Sequence, residues 1–194
     1  SSPLVWRNVV TQAMKDPRIR EKYQFWYAFY SSGEPVTPTA ALLRSRIAAI
    51  RDAGDPGKTS PLSKNMILVG YSMGGVIARA LATDVGDHLW NAVSDRPFED
   101  IQLKDEDRAI VRDWIFWKPD LTIKDVVFLA TPHRGTRLAD ASFAQLGRKF
   151  IGLPTSFLQF QKRIFTAIGS LIENPDLPTR ALSGVDSLSP SAPI

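Results

Sequence analysis

The sequence predicts an α/β domain: a mostly parallel sheet flanked by helices. Three near-continuous apolar runs of strand length stand out, residues 23–30 (YQFWYAFY), 65–70 (NMILVG) and 125–130 (DVVFLA). Runs without polar alternation suit strands covered on both faces. Amphipathic helical stretches separate them, as in a parallel sheet with helical crossovers. In such sheets chemistry gathers at the carboxyl ends of strands, and two of these ends carry unusual residues.

Taken in order, residues 4–14 place Leu4, Val5, Val9, Val10 and Ala13 near helical spacing, with Pro17 as the stop. The aromatic run at 23–30, bounded by Ser31, Ser32 and Gly33, reads as a buried strand. Thr37 and Thr39 are candidate N-caps of a helix through Ala53, with Ala41, Leu42, Ile47 and Ile50 turned inward. Gly54-Asp55-Pro56-Gly57 stops it. The second strand, 65–70, leads into a helix over 73–83 with Val76, Ile77, Ala80 and Leu81 on one face. A less regular insertion at about 85–124, holding a charged helix near 104–114, precedes the third strand at 125–130. Helices are expected after Thr136 and over 156–172, and the Ser/Pro-rich stretch 183–194 is expected to be irregular.

Composition narrows the chemistry. With no cysteine, a disulfide scaffold, a thiolate zinc site and a cysteine nucleophile are excluded. The two histidines, His88 and His133, leave few options for an imidazole-based mechanism. A length of 194 residues, 44% of them hydrophobic, fits a single domain with a sizeable core. The 24 basic and 20 acidic residues leave +4, but the charges are interspersed. Arg18, Arg20 and Lys22 sit among Asp16 and Glu21, and Lys104 and Arg108 among Asp105, Glu106 and Asp107. That is a solvated mixed surface with no basic stripe, so nucleic acid is not an expected partner. No apolar run approaches the ~18 residues needed to span a bilayer. Ser1-Ser2-Pro3 has neither the basic nor the apolar region of a signal peptide, and the chain does not begin with methionine, so it reads as a trimmed or partial chain.

Gly70-Tyr71-Ser72-Met73-Gly74, followed by Gly75, matches G-x-S-x-G. Chance would supply about 0.06 such matches in a chain of this composition, so the pattern is moderately informative. Its context is more so: a strand precedes the serine and a helix follows it, as a nucleophile elbow requires. The serine there sits in a strained turn where strand and helix approach closely, so its neighbours must lack bulk. The helix starting near Met73 aims its N-terminal N–H groups at the same place, above all the Met73 N–H, where an oxyanion would develop. The alternative is a glycine-rich turn with an incidental serine, as in phosphate-binding loops, although neither G-x-G-x-x-G nor the P-loop pattern is present.

At the third strand's end come Thr131-Pro132-His133-Arg134-Gly135-Thr136. Pro132 stops the strand and His133 emerges on the rim expected to carry Ser72. His133 reads either as a general base for Ser72 or as a hydrogen-bonding residue that shapes the rim. Arg134 is a candidate to contact an acidic group or cap a carbonyl.

GYSMGG after a strand, with FLATPHRGT one strand later, resembles the lipase/esterase branch of the α/β-hydrolase superfamily. The likeness runs from about residue 23 to 136 and more loosely beyond. It implies a three-layer α/β-hydrolase-like fold, incomplete at both ends, with residues 1–194 forming one partial domain. It further implies that Ser72 is the nucleophile, that Met73 supplies one oxyanion-hole N–H, and that Tyr71 and His133 line the site. In that family the strand-end histidine is generally not the triad base, and the acid and base come after two further strands. His88 reads as a surface or packing residue.

Two departures matter. The segment starting at Ser1 resembles the stretch immediately after the family's His-Gly oxyanion loop, so the second donor is not accounted for. After Thr136 no two further buried strands are evident, and Asp140, Asp176 and Asp186 are followed by no histidine. The triad acid and base are therefore expected outside this chain, which alone is expected to be inactive. Trp90, Phe98, Trp114, Phe116 and Trp117 in the insertion suit either a lid over an apolar acyl group or ordinary packing. Phe157, Leu158, Phe160, Ile164 and Phe165 raise the same two options.

The sequence thus points to a serine hydrolase acting on carboxylic esters through an acyl-enzyme on Ser72. Its substrate would be a small-molecule or lipid ester, and no metal or organic cofactor is required. The alternative is a non-catalytic α/β-hydrolase-fold module used for binding or scaffolding.

Overall fold

A computed structural model of the chain describes residues 3–31, 34–91 and 94–134. The helices expected after Thr136 and over 156–172, the tail 183–194, and Asp140, Asp176 and Asp186 lie outside the described residues.

A short 3-10 turn, Pro3–Trp6, opens into α1 (Arg7–Ala13). Pro17 does not merely stop it. Pro17 is the first residue of a second short helix, α2 (Pro17–Arg20), where its missing N–H costs nothing. The Asp16 carboxylate caps that helix, accepting from the Arg18 N–H at 2.9 Å.

The aromatic run departs from expectation. Residues 23–30 are not assigned as a strand and pair with no strand among the described residues, and all but Tyr30 are exposed. The composition suits a covered strand, but a strand needs a neighbour on its hydrogen-bonding edge, and the described residues supply none.

α3 (Val36–Gly54) starts behind Pro35, whose φ of −58° introduces the helix. Neither expected threonine cap is used. Thr37 and Thr39 lie inside the helix, and the Thr39 hydroxyl donates back to the Pro35 carbonyl at 2.8 Å. Of the residues expected inward, Ala41 is buried and Ile47 packs on the core, whereas Leu42 and Ile50 are exposed, and Val36, Ala40 and Leu43 complete the inward face. The Asp55 carboxylate then organises the following turn, accepting from Ser63 Oγ at 2.6 Å, Ser60 N–H at 2.9 Å and Thr59 N–H at 3.1 Å. These bonds, that from Ser63 foremost, hold its carboxyl below the usual carboxylate range.

β1 (Met66–Tyr71) pairs in parallel with β2 (Ile123–Leu129), with Leu68 opposite Val126, Val69 opposite Val127 and Tyr71 opposite Leu129. Between them run α4 (Met73–Ala82), α5 (His88–Asn91) and α6 (Asp105–Ile115). α4 packs on β1 and against α3. Its buried face of Val76, Ile77, Ala80 and Leu81 is the one the spacing predicts, and it joins Val36, Ala40, Leu43 and Met73 in the main core. Each such side chain contributes roughly 1.5–3 kcal/mol by burial when large and apolar.

The two strands are not covered on both faces. Ile67, Val69 and Tyr71 of β1, with Val127 and Leu129 of β2, are 39–49% exposed on the face away from α4. Their composition anticipates cover that only one face receives among the described residues.

The insertion forms a small core of its own, Trp90, Phe98, Ile101 and Val111, with the Trp90 and Phe98 rings edge to face at 5.3 Å. Asp105, Glu106 and Asp107 in the first turn of α6 and Arg112 in its last suit the helix dipole. Arg51 of α3 fastens the start of β2, bonding the Asp120 carboxylate at 2.6 Å and the Thr122 hydroxyl at 2.5 Å.

Candidate active site at the carboxyl ends of the strands

The two strands end in the same way. Ser72 follows β1 with φ 53° and ψ −124°, and Ala130 follows β2 with φ 47°. A positive φ is costly for any residue with a Cβ. Both turns are held from the backbone. The Ser72 N–H donates to the Leu129 carbonyl at 2.9 Å, and the Ser72 carbonyl accepts from the Gly75 N–H at 3.0 Å. The chain thus leaves β1, reverses sharply at Ser72 and enters α4 at Met73.

Three glycines make the reversal fit. A Cβ on Gly70 would meet the Gly74 carbonyl oxygen and the Gly75 Cα at 2.5 Å, backbone atoms that no rotamer change can move. A Cβ on Gly75 would run into the Thr131 side chain, with Thr131 Cγ2 at 2.7 Å. One on Gly74 would approach the Tyr30 hydroxyl at 3.1 Å. Strand, helix and the Thr131 segment therefore converge more tightly than side chains permit, the arrangement expected of G-x-S-x-G.

Ser72 is half-buried, and its hydroxyl makes no cap hydrogen bond to α4. The Met73 N–H has no partner among the described residues, while the Met73 side chain is in the core. An N–H without a partner at the start of a ten-residue helix is able to donate to an anionic oxygen. Tyr71 sits just before Ser72, 45% exposed on the uncovered face of the sheet.

His133 is exposed, its ring edge to face on Phe128 with centroids 4.5 Å apart, and its backbone N–H donates to the Thr131 carbonyl at 3.0 Å. No hydrogen bond joins it to Ser72 among the described residues. Arg134 is exposed beside it. His88 begins α5, exposed, in the insertion.

Two residues at the elbow escape the sequence reading. The Thr131 hydroxyl is buried without a hydrogen-bond partner, against Gly75. Tyr30 packs on the main core with its hydroxyl at the first turn of α4, and burial pushes that hydroxyl's pKa up. For Thr131 the available signal is its place between a strand and Pro132; for Tyr30 no local signal exists.

An open cleft of about 700 Å³ lies elsewhere, along the insertion, lined in part by Asp84, Trp90, Glu99, Arg112, Phe116 and Lys118. Four of its charged groups pair with one another, Lys118 with Asp84 at 2.9 Å and Arg112 with Glu99 at 2.6 Å, and Asp87, Asp95 and Arg96 also line it. The elbow has the stronger chemical claim. Among the described residues no three acidic or histidine side chains cluster to hold a metal, and no helix is long and apolar enough to cross a membrane.

Comparison with protein-family models, with curated proteins and with solved structures finds no match to this chain.

Proposed function

We propose that this chain carries the nucleophile of a serine hydrolase of the lipase/esterase type, acting on carboxylic esters of small molecules or lipids. The observation that carries the reading is Ser72 at φ 53° directly before a helix whose first N–H is unpaired. Ser72 Oγ attacks the ester carbonyl carbon, and the electron pair moves to the carbonyl oxygen, which the Met73 N–H stabilises. Collapse of that oxyanion expels the alcohol and leaves an acyl-Ser72, which water then cleaves to the acid. A histidine must take the Ser72 proton and return it to the leaving alcohol. His88 and His133 are the chain's two histidines, and neither bonds Ser72, so the reading assigns base and acid to polypeptide outside these 194 residues. The same absence of a bonded base favours the second reading, a binding or scaffolding module that keeps the elbow without the chemistry.

The test uses the parent polypeptide that supplies the base. Ser72→Ala is expected to abolish p-nitrophenyl ester turnover and fluorophosphonate labelling, and undiminished activity in that variant overturns the assignment. His133→Ala is expected to retain substantial labelling; complete loss in a folded variant makes His133 the base. A parent that never labels at Ser72 supports the module.

A further inference from the structure

We infer that the Tyr30 hydroxyl is a second donor, beside the Met73 N–H, to the oxyanion formed when Ser72 attacks an ester. The inference rests on the hydrolase reading and adds a catalytic side chain to it. A carbonyl oxygen that becomes an alkoxide gains more lone-pair charge than one N–H can satisfy. Preorganised donors at that oxygen, tyrosine hydroxyls among them, usually supply the largest single share of catalysis in acyl transfer.

Two side chains stand where Cβ atoms on the first turn of α4 would go, Tyr30 at Gly74 and Thr131 at Gly75. They differ in what can reach them. The Thr131 hydroxyl is sealed inside the packing against Gly75. The Tyr30 hydroxyl is not among the sealed polar atoms, and it makes no hydrogen bond among the described residues. Its ring is half-buried and packs on the main core, which anchors the hydroxyl without engaging its proton. A tyrosine drawn into packed surroundings ordinarily bonds its O–H, and here that bond is left for a ligand. Burial also raises the phenol's pKa above its ordinary value, so the group keeps its proton and donates throughout the neutral range. Gly74 is what admits it, since a Cβ there would stand 3.1 Å from the hydroxyl oxygen. Gly74 directly follows Met73, so the two donors meet α4 at successive residues of one turn. An oxygen 2.7–3.1 Å from each of two donors bridges a gap of up to about 6 Å.

The test is Tyr30→Phe, which keeps the ring and its packing, in the parent polypeptide that supplies the base. Turnover of a p-nitrophenyl ester is expected to fall roughly a hundredfold in kcat with KM unchanged, because the bond is made only in the transition state. Gly74→Ala crowds the hydroxyl, and is expected to lower kcat in the Tyr30 protein while adding little in the Tyr30→Phe background. In the 194-residue chain, Tyr30→Phe is expected to leave Tm unchanged or higher, since no bond is lost. Undiminished kcat in Tyr30→Phe, or an equal effect of Gly74→Ala in both backgrounds, overturns the proposal. Fluorophosphonate labelling of Ser72 in the same samples then leaves the hydrolase reading standing. A Tm lower by more than about 5 °C in Tyr30→Phe shows the hydroxyl to be bonded within the fold, and overturns the proposal as well. A parent that never labels at Ser72 removes both readings together.

Discussion

Replacing Ser72 by glycine is expected to stabilise the chain while removing the hydroxyl proposed as the nucleophile. At φ 53° and ψ −124° the serine lies outside the regions open to residues with a Cβ, and such strain costs about 1–3 kcal/mol. Glycine adopts the conformation freely. Both backbone bonds at this position, to Leu129 and from Gly75, survive the change, and no side-chain cap bond is lost because none is made. Against the relief stands the extra freedom glycine gives the unfolded chain, about 0.4–1 kcal/mol. The net expectation is a gain of about 1 kcal/mol, or roughly 2–4 °C in Tm. Ser72→Ala is the control: its Cβ retains the strain, so its stability should stay within about 0.5 kcal/mol of the parent chain. Urea unfolding followed by circular dichroism, with unchanged m-values, measures both. A Ser72→Gly variant less stable than Ser72→Ala would refute the reasoning, because the strain would then not be stored at this residue.

The remaining expectations concern what holds the elbow and the sheet. Gly70→Ala puts a Cβ about 1 Å inside packing distance of the α4 backbone and is expected to cost about 3 kcal/mol. Gly54→Ala, with nothing within 4 Å of the new Cβ, is expected to be neutral or stabilising by up to about 1 kcal/mol in the same unfolding assay. Gly75→Ala is expected to destabilise and Thr131→Ala to rescue part of the loss, a coupling of about 1 kcal/mol in a double-mutant cycle, since Thr131 supplies the atoms in the way. Burial raises the Asp120 carboxyl pKa, but bonds from Thr122 and Arg51 outweigh it and hold the group below its usual range. Its contribution is therefore complete above the unfolded value of about 3.9 and fades as pH falls through the lower folded value. Asp120→Asn is expected to lose about 1–3 kcal/mol at neutral pH and to show a flatter stability profile below about pH 4.

How much of the fold and the site is legible in the sequence depends on where each cause lies. α4 reads correctly to the face because its periodicity and its glycines are local, and because both sides of its packing, β1 and α3, are present. The face of α3 is half right: Ala41 and Ile47 are inward as expected, and Leu42 and Ile50 are not. Leu42 and Ile50 are apolar enough to be read as core, and only the position of α4 decides that Val36, Ala40 and Leu43 take that place. Its start is misread because two threonines resemble caps, whereas Pro35 and the Thr39 back-bond set the first turn. Apolar composition identifies β1 and β2 as strands but overstates their burial, since composition records the cover a strand suits and not the cover it has. Residues 23–30 fail for the same reason in stronger form. The contacts of Thr131 with Gly75 and of Tyr30 with the start of α4 are long-range and leave no local pattern. At the end of β1, then, the sharp turn at Ser72, its glycines and the helix start at Met73 are readable, and the residues that wedge them in place are not.

The strain at Ser72 also bears on which functional reading is favoured. A positive φ at a residue with a Cβ persists only where surrounding structure enforces it. Here the enforcement is expensive on several sides: three glycines give up helix and strand propensity, two at the start of α4 alone. A scaffold gains nothing from this, because glycine at position 72 would form the same turn without strain, and the Ser72 hydroxyl makes no bond that would justify the side chain structurally. What the arrangement does provide is a serine immediately before a helix whose first N–H has no partner among the described residues. That geometry is useful when an electrophilic carbonyl must meet a nucleophile and a charge-stabilising donor at once. The stability gained by Ser72→Gly thus measures how much the fold gives up to keep a serine there. A gain near zero would remove the strain argument for catalysis, and a gain near 2 kcal/mol would make the module reading hard to sustain.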